Sequence, residues 1–353
     1  MSRSSDTEQS PTRRIFSLAW KMLVPIAIGM AVVWWLFSRE FNPDVWDSIR
    51  WDSRVVWCIG LALIFMIGRD WGMSWRFRVL TDKALTWVQC VRVCLLVEFT
   101  SCVTPTSAGG SALGMLFLHR EGIELGKGTT LMMTTLFLDN LFFVIALPLF
   151  IFLVPYSELF GFGPQSFTIG LQSAFWGIYA LVFAWTTILF LGILVKPRAI
   201  RTAINRLFRF RWLRRWSARA DALGADMETT GRELRRRPAM WWARAFGATA
   251  ASWLSRFLLV NALFLGFAPG ASQTVVLARQ FVVWVILMVS PTPGGAGISE
   301  WLFTTYYGDL LGSAGMALVI ALFWRIISYY VYLIIGCFIL PGWLRRGFRN
   351  KTT

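Results

Sequence analysis

Eight charged side chains stand inside stretches that are otherwise apolar: Arg92, Glu98, Asp139, Arg244, Arg256, Arg279, Glu300 and Arg325. A charge withdrawn from water is costly unless it meets a partner or a ligand, so each is a candidate for recognition chemistry. Two of these stretches also carry chain-breaking residues. "TPTSAGGS", Thr104 to Ser111, holds Pro105, Gly109 and Gly110; "TPGGAGIS", Thr292 to Ser299, holds Pro293, Gly294, Gly295 and Gly297, and Glu300 follows at once. A helix that restarts after such a break presents unpaired backbone N–H groups and a partial positive charge. Glycine lets a ligand approach the backbone closely. The combination suits binding of a phosphate or carboxylate.

Glu300 has two readings. In one, Ser299 caps the restarted helix and Glu300 complements its dipole. In the other, Glu300 holds a cation, a proton or a positively charged group. Arg92 and Glu98 are six positions apart, too far to face one another on a helix, so each should pair elsewhere. Arg244 and Arg279 lie near segment ends and can snorkel. Arg256 and Arg325 lie deeper, and are expected in the site or as partners of Asp139 and Glu300.

The elements that must position these residues follow from hydropathy. Of 353 residues, 56% are hydrophobic and 15% charged, and the mean hydropathy is +0.56. Apolar stretches of about 20 residues recur along the chain, which predicts an all-α polytopic membrane protein. The stretches are continuous rather than alternating, against a β-barrel. They run roughly over 18–37, 55–68 (continuing amphipathically to 80), 84–118, 128–155, 170–195, 240–266, 272–306 and 310–340. A polar tail, 1–17, precedes them and a basic tail, 341–353, follows.

Charge sets the orientation. Residues 196–238 hold thirteen Lys/Arg against four acids. They are expected in the cytoplasm, as an amphipathic helix on anionic headgroups. The +16 net charge reflects such loops rather than nucleic-acid binding. With 196–238 inside, 119–127 is also inside, while 38–54 and 156–170 are outside. Stretches 84–118 and 272–306 must then each begin and end on one face. The expected fold is therefore about six full transmembrane helices plus two re-entrant hairpins, with both termini cytoplasmic.

The two breaks align at an offset of 188 residues, with five of eight positions identical. The same offset carries 55–80 onto 243–268 and 128–155 onto 316–343. Three crossings separate the hairpins, so the halves, about 18–155 and 170–340, are expected to be inverted repeats, an arrangement typical of secondary transporters. Enzymatic signatures are missing: there is one histidine, no nucleophile elbow, no nucleotide loop, and five cysteines in apolar segments without a CxxC pair. No metal or cofactor is expected. The expected partners are membrane lipids, through a phospholipid or polyprenyl-phosphate headgroup.

"PTPGGAGISE" and the later "FWRIISYYVYLIIG" make the chain similar to the lysylphosphatidylglycerol synthase transmembrane-region family, also called flippase-like. That family's PGG-x-G-x-x-E loop would be Pro293, Gly294, Gly295, Gly297 and Glu300; its last helix would supply Arg325, Tyr329 and Gly336. "WRFRVL", "TPTSAGG" and the helix with Asp139 extend the resemblance over about residues 18–345. The chain departs from the family at "SALGML" after the first loop and at Thr135-Leu136 before Asp139. The resemblance implies the lipid-translocating half of the multiple peptide resistance factors, without their aminoacyl-transferase domain. The expected function is thus a flippase or transporter moving an anionic or lipid-linked headgroup across the bacterial inner membrane. A membrane-embedded transferase, or an accessory of lipid-linked glycan or aminoacyl-lipid synthesis, is the alternative.

Overall fold

The computed structural model describes residues 51–104, 108–160, 165–207, 217–290, 292, 295, 297–311 and 314–349. The expected first span, 18–37, lies outside the described residues, as do Pro105, Pro293 and Gly294. Everything regular among the described residues is helical. The helices are α1 (Ser53–Leu80), α2 (Trp87–Val103), α3 (Ala108–Arg120), α4 (Leu125–Leu153), α5 (Tyr156–Phe160) and α6 (Gln165–Phe190), which ends in a π-helical turn, Leu191–Val195. There follow α7 (Pro197–Leu207), α8 (Ser217–Arg235), α9 (Ala239–Phe267), α10 (Gln273–Leu287) and α11 (Ile298–Leu311). Last come α12 (Ala314–Arg325) and α13 (Val331–Arg349), joined by a second π-helical turn, Ile326–Tyr330.

Five described segments are long and apolar enough to cross a membrane: α1, α4, Thr168–Val195, α9 and Gly315–Leu340. Their outer faces carry large exposed apolar side chains, among them Trp57, Ile64, Phe152, Leu181 and Phe338. A water-soluble surface would not tolerate such a belt, whereas lipid accepts it. The chain is a polytopic all-α membrane protein. The short helices α2, α3, α10 and α11 have 17, 13, 15 and 14 residues. At about 1.5 Å per residue each reaches only about 20–26 Å, less than a hydrocarbon core.

Each helix starts where its sequence permits. Asp52 accepts the Val55 N–H at 3.0 Å to cap α1. Thr86 and Gln89 form a reciprocal capping box on α2. Between these helices Asp82 and Lys83 adopt positive φ, and Arg237 and Trp241 hold the Asp82 carboxylate.

Helices α1 and α9 pack along their length and run antiparallel. Arg54 reaches the Gly266 carbonyl at 3.3 Å at one end, Ser252 the Arg69 carbonyl at 3.0 Å near the middle, and Trp241 the Asp82 carboxylate at 3.1 Å at the other. Gly72 makes the contact close: a Cβ there would stand 2.8 Å from the Ser252 backbone nitrogen. Shifted by 188, α1 falls on α9, α2 on α10, α3 on α11 and α4 on Gly315–Leu340, each within a few residues.

The described residues of the basic segment form two helices, α7 and α8. Asp221 of α8 binds Arg201 of α7 at 3.0 Å, and Glu228 takes Arg198, Arg201 and Arg232. Burial pushes the Glu228 carboxyl up, but Arg232 and Arg198 outweigh it and hold it below the usual carboxylate range.

Candidate functional site

The embedded charges resolve into ion-paired groups between helices. At the crossing of α1 and α9, Glu98 of α2 is gripped by Arg69 of α1 and approached by Arg256 of α9. Asp70, next on α1, accepts the Tyr332 hydroxyl at 2.6 Å and lies 3.3 Å from Arg69. The Arg69 guanidinium also sits 4.9 Å from the Tyr332 ring centre.

Arg256 is held differently. Its guanidinium lies over two indoles, 4.9 Å from the Trp253 ring centre and 4.6 Å from that of Trp284. Its nearest carboxylate oxygens, both from Glu98, are 3.4 and 3.5 Å away, and its side chain is 18% exposed.

Trp253 links this group to the next. Its indole N–H donates to Asp139 of α4 at 2.8 Å, and Asp139 pairs with Arg76 of α1 at 2.5 Å. Arg76 also donates to Thr249 of α9 at 3.3 Å. The partner of Asp139 is therefore Arg76, and the partner of Arg256 is Glu98.

The third group lies at the second break. Glu300 meets Arg325 at 2.6 Å, with side-chain exposures of 4% and 6%. The other Glu300 oxygen accepts the Gly297 N–H at 2.7 Å and the Ser299 hydroxyl at 2.8 Å. The Trp301 N–H bonds the Gly297 carbonyl at 3.1 Å, so Gly297 is the N-cap and Glu300, three residues on, closes the back half of a capping box. Ser299 is not the cap. Gly295 and Gly297 have φ of +73° and +83°, a region that L side chains enter only with strain. Arg325 lies 4.0 Å from the Tyr329 ring centre, and the Tyr329 hydroxyl donates to the Cys102 carbonyl of α2 at 3.1 Å. Arg325 immediately precedes a π-helical turn, a distortion that recurs at functional positions.

The family model for the lysylphosphatidylglycerol synthase TM region matches residues 22–336, covering these groups and the helices that carry them. The chain belongs to the lysylphosphatidylglycerol synthase transmembrane-region family. A relative in Archaeoglobus fulgidus, described as a UPF0104 membrane protein, is 22% identical over 331 residues, which is 89% of this chain and 94% of that protein. No solved structure matches.

Within this member of the family, other expected residues stand apart from the central charges. Arg92 pairs with Glu121 at 2.9 Å. Gly109 lies in the first turn of α3, and Gly110 packs against α2, where a Cβ would collide with the Ser101 hydroxyl and the Val97 carbonyl. Arg244 is exposed. Arg279 does not snorkel: it is fully buried, bidentate to Asp309 at 2.6 and 2.8 Å, and bonded to the carbonyls of Glu158 and Tyr306.

Sequence reasoning missed Arg69, Asp70 and Arg76, which it left beyond the end of the 55–68 stretch. A legible signal existed. Arg69, Met73, Arg76 and Leu80 recur at intervals of three or four and share the buried face of α1 with Gly72.

Proposed function

We propose that this member of the lysylphosphatidylglycerol synthase transmembrane-region family moves an anionic lipid headgroup, of a phospholipid or a polyprenyl phosphate, between leaflets of the bacterial cytoplasmic membrane. Arg256 is the residue that takes the headgroup. The observation that carries this reading is the loose hold on that guanidinium. Arg76, Arg279 and Arg325 each have a carboxylate oxygen at 2.5–2.6 Å, and Arg69 has one closer still, whereas Arg256 has none nearer than 3.4 Å.

A phosphate can take Arg256 without stranding a buried acid, because Glu98 keeps Arg69. The guanidinium fork matches two phosphate oxygens, and its stacking on two indoles fixes the plane of approach. The Trp284 indole N–H is buried with no acceptor among the described residues, and supplies a further donor beside Arg256. Position supports the reading too. Arg256 lies near the middle of α9, and the offset of 188 maps it onto Gly68 of α1, whose missing side chain abuts Ser255. An antiparallel pair of helices related by that offset is what an inverted repeat with its axis in the membrane plane would require. Such halves can rock about a headgroup held between them.

The test is reconstitution of the purified chain in liposomes without ATP, following fluorescent phosphatidylglycerol and polyprenyl phosphate against phosphatidylcholine. The anionic lipids are expected to change leaflet, and Arg256→Gln to slow them by about tenfold or more, the worth of a charge-assisted bond. Equal rates for wild type and Arg256→Gln would remove Arg256 from the site. No movement of any lipid, with turnover of a lipid-linked donor, would replace translocation by the transferase reading.

A further inference from the structure

A basic cavity lies away from the central charges, where α6 ends. An open cavity of about 790 Å³ is walled there by Lys196, Arg198, Arg232, Arg235 and Arg236. The local backbone builds it. The π-helical turn of α6 closes with the Lys196 N–H on the Leu191 carbonyl at 2.7 Å, which delivers Lys196 to the rim. Helix α8 is pressed onto that turn through Gly231, where a Cβ would stand 2.9 Å from both the Ile193 carbonyl oxygen and the Pro197 Cβ. Arg235 then reaches the Val195 carbonyl at 3.4 Å.

The charges in the wall do not cancel. Glu228 engages Arg198 and Arg232 and shares Arg201 with Asp221. Among the described residues no carboxylate pairs with Lys196, Arg235 or Arg236. Immediately before the cavity, Ile188, Phe190, Leu191 and Val195 expose apolar side chains at the end of a membrane-spanning segment. An occupant must therefore present negative charge at the cavity and hydrocarbon alongside the last two turns of α6.

We propose that this cavity binds the phosphate of an anionic phospholipid whose acyl chains lie against residues 188–195. The site is independent of Arg256, and stands or falls separately from the translocation reading.

The experiment uses the full chain in nanodiscs containing trace phosphatidylglycerol or phosphatidylcholine with a photoactivatable diazirine near the top of an acyl chain, and maps the crosslinks by peptide mass spectrometry. The phosphatidylglycerol probe is expected to label 185–195 in preference to the phosphatidylcholine probe. The triple variant Lys196→Gln, Arg235→Gln, Arg236→Gln should lower that labelling by at least about tenfold, given what surface cations contribute individually. Labelling of the exposed face of α1 serves as the internal control, and its constancy shows that the variant is folded. A variant that loses the α1 pattern too is replaced by Arg236→Gln alone, with a smaller loss confined to 185–195 expected. Equal labelling by the two probes, or labelling that survives the charge removal, would overturn the proposal. Inorganic phosphate that abolishes labelling at matched ionic strength would assign the cavity to a free phosphate instead, which also overturns it.

Discussion

Replacing Arg325 with methionine would strip Glu300 of its ion pair at a depth where neither side chain meets solvent. The two are 2.6 Å apart and 6% and 4% exposed, so their attraction is barely screened. Breaking such a pair from one side leaves an uncompensated buried charge, at about 3–5 kcal/mol. Glu300→Gln should cost a similar amount, because it leaves the guanidinium without its carboxylate while the amide oxygen still accepts the Gly297 N–H. The double variant removes both charges, and methionine keeps apolar contact with the Tyr329 ring. Its loss should fall to about 1 kcal/mol, since removing both charges together leaves neither one uncompensated in the interior.

Unfolding entropy scales with chain length, so 353 residues correspond to about 0.7 kcal/mol per degree of midpoint shift. Each single variant is then expected to unfold about 4–7 °C below wild type, and the double variant within about 2 °C of it. Thermal unfolding of the four proteins in one detergent, read by intrinsic tryptophan fluorescence, gives the comparison. Additive losses, with the double variant the least stable of the four, would refute the reasoning, because independent sites add and a pair does not. The cycle also governs how transport data are read. A slow single variant mixes stability with mechanism, whereas the double variant reports mechanism.

The α1–α9 contact should be intolerant of bulk where their backbones touch. Gly72→Leu meets the Ser252 nitrogen and the Ala248 carbonyl and is expected to cost the 1–3 kcal/mol of overpacking or more, while Gly60→Leu, with nothing within 4 Å of its Cβ, should leave the midpoint within about 1 °C. Orientation is tested by single cysteines at Glu124 and Ser157 in a cysteine-free background. The charge distribution predicts labelling of the first from the cytoplasmic face alone and of the second from the opposite face alone; labelling of both from one face would refute the hairpin topology.

What the sequence made legible, and what it hid, divide along physical lines. The breaks and the ends of the short helices could be read because proline and glycine act through their own backbone, wherever the rest of the chain lies. The expected cap fell two residues late, since Gly297 rather than Ser299 takes the role, at a φ of +83°. Ion-pair partners were harder. Arg279 finds Asp309 thirty residues on, and Arg256 finds Glu98 across 158, so each choice belongs to helix packing and not to spacing. Arg69 and Arg76 were hidden for another reason: a hydropathy window stops at the first arginine, although the 3.6-residue face continues through it. Restoring them changes the chemistry. Arg69, Arg76, Arg256 and Arg325 stand against Asp70, Glu98, Asp139 and Glu300, a balanced interior. An incoming anion cannot simply fall into a positive well there; it must replace a carboxylate. Among the described arginines of this set, only at Arg256 is the displaced acid already held more tightly by another arginine, which makes that exchange the least costly of the four.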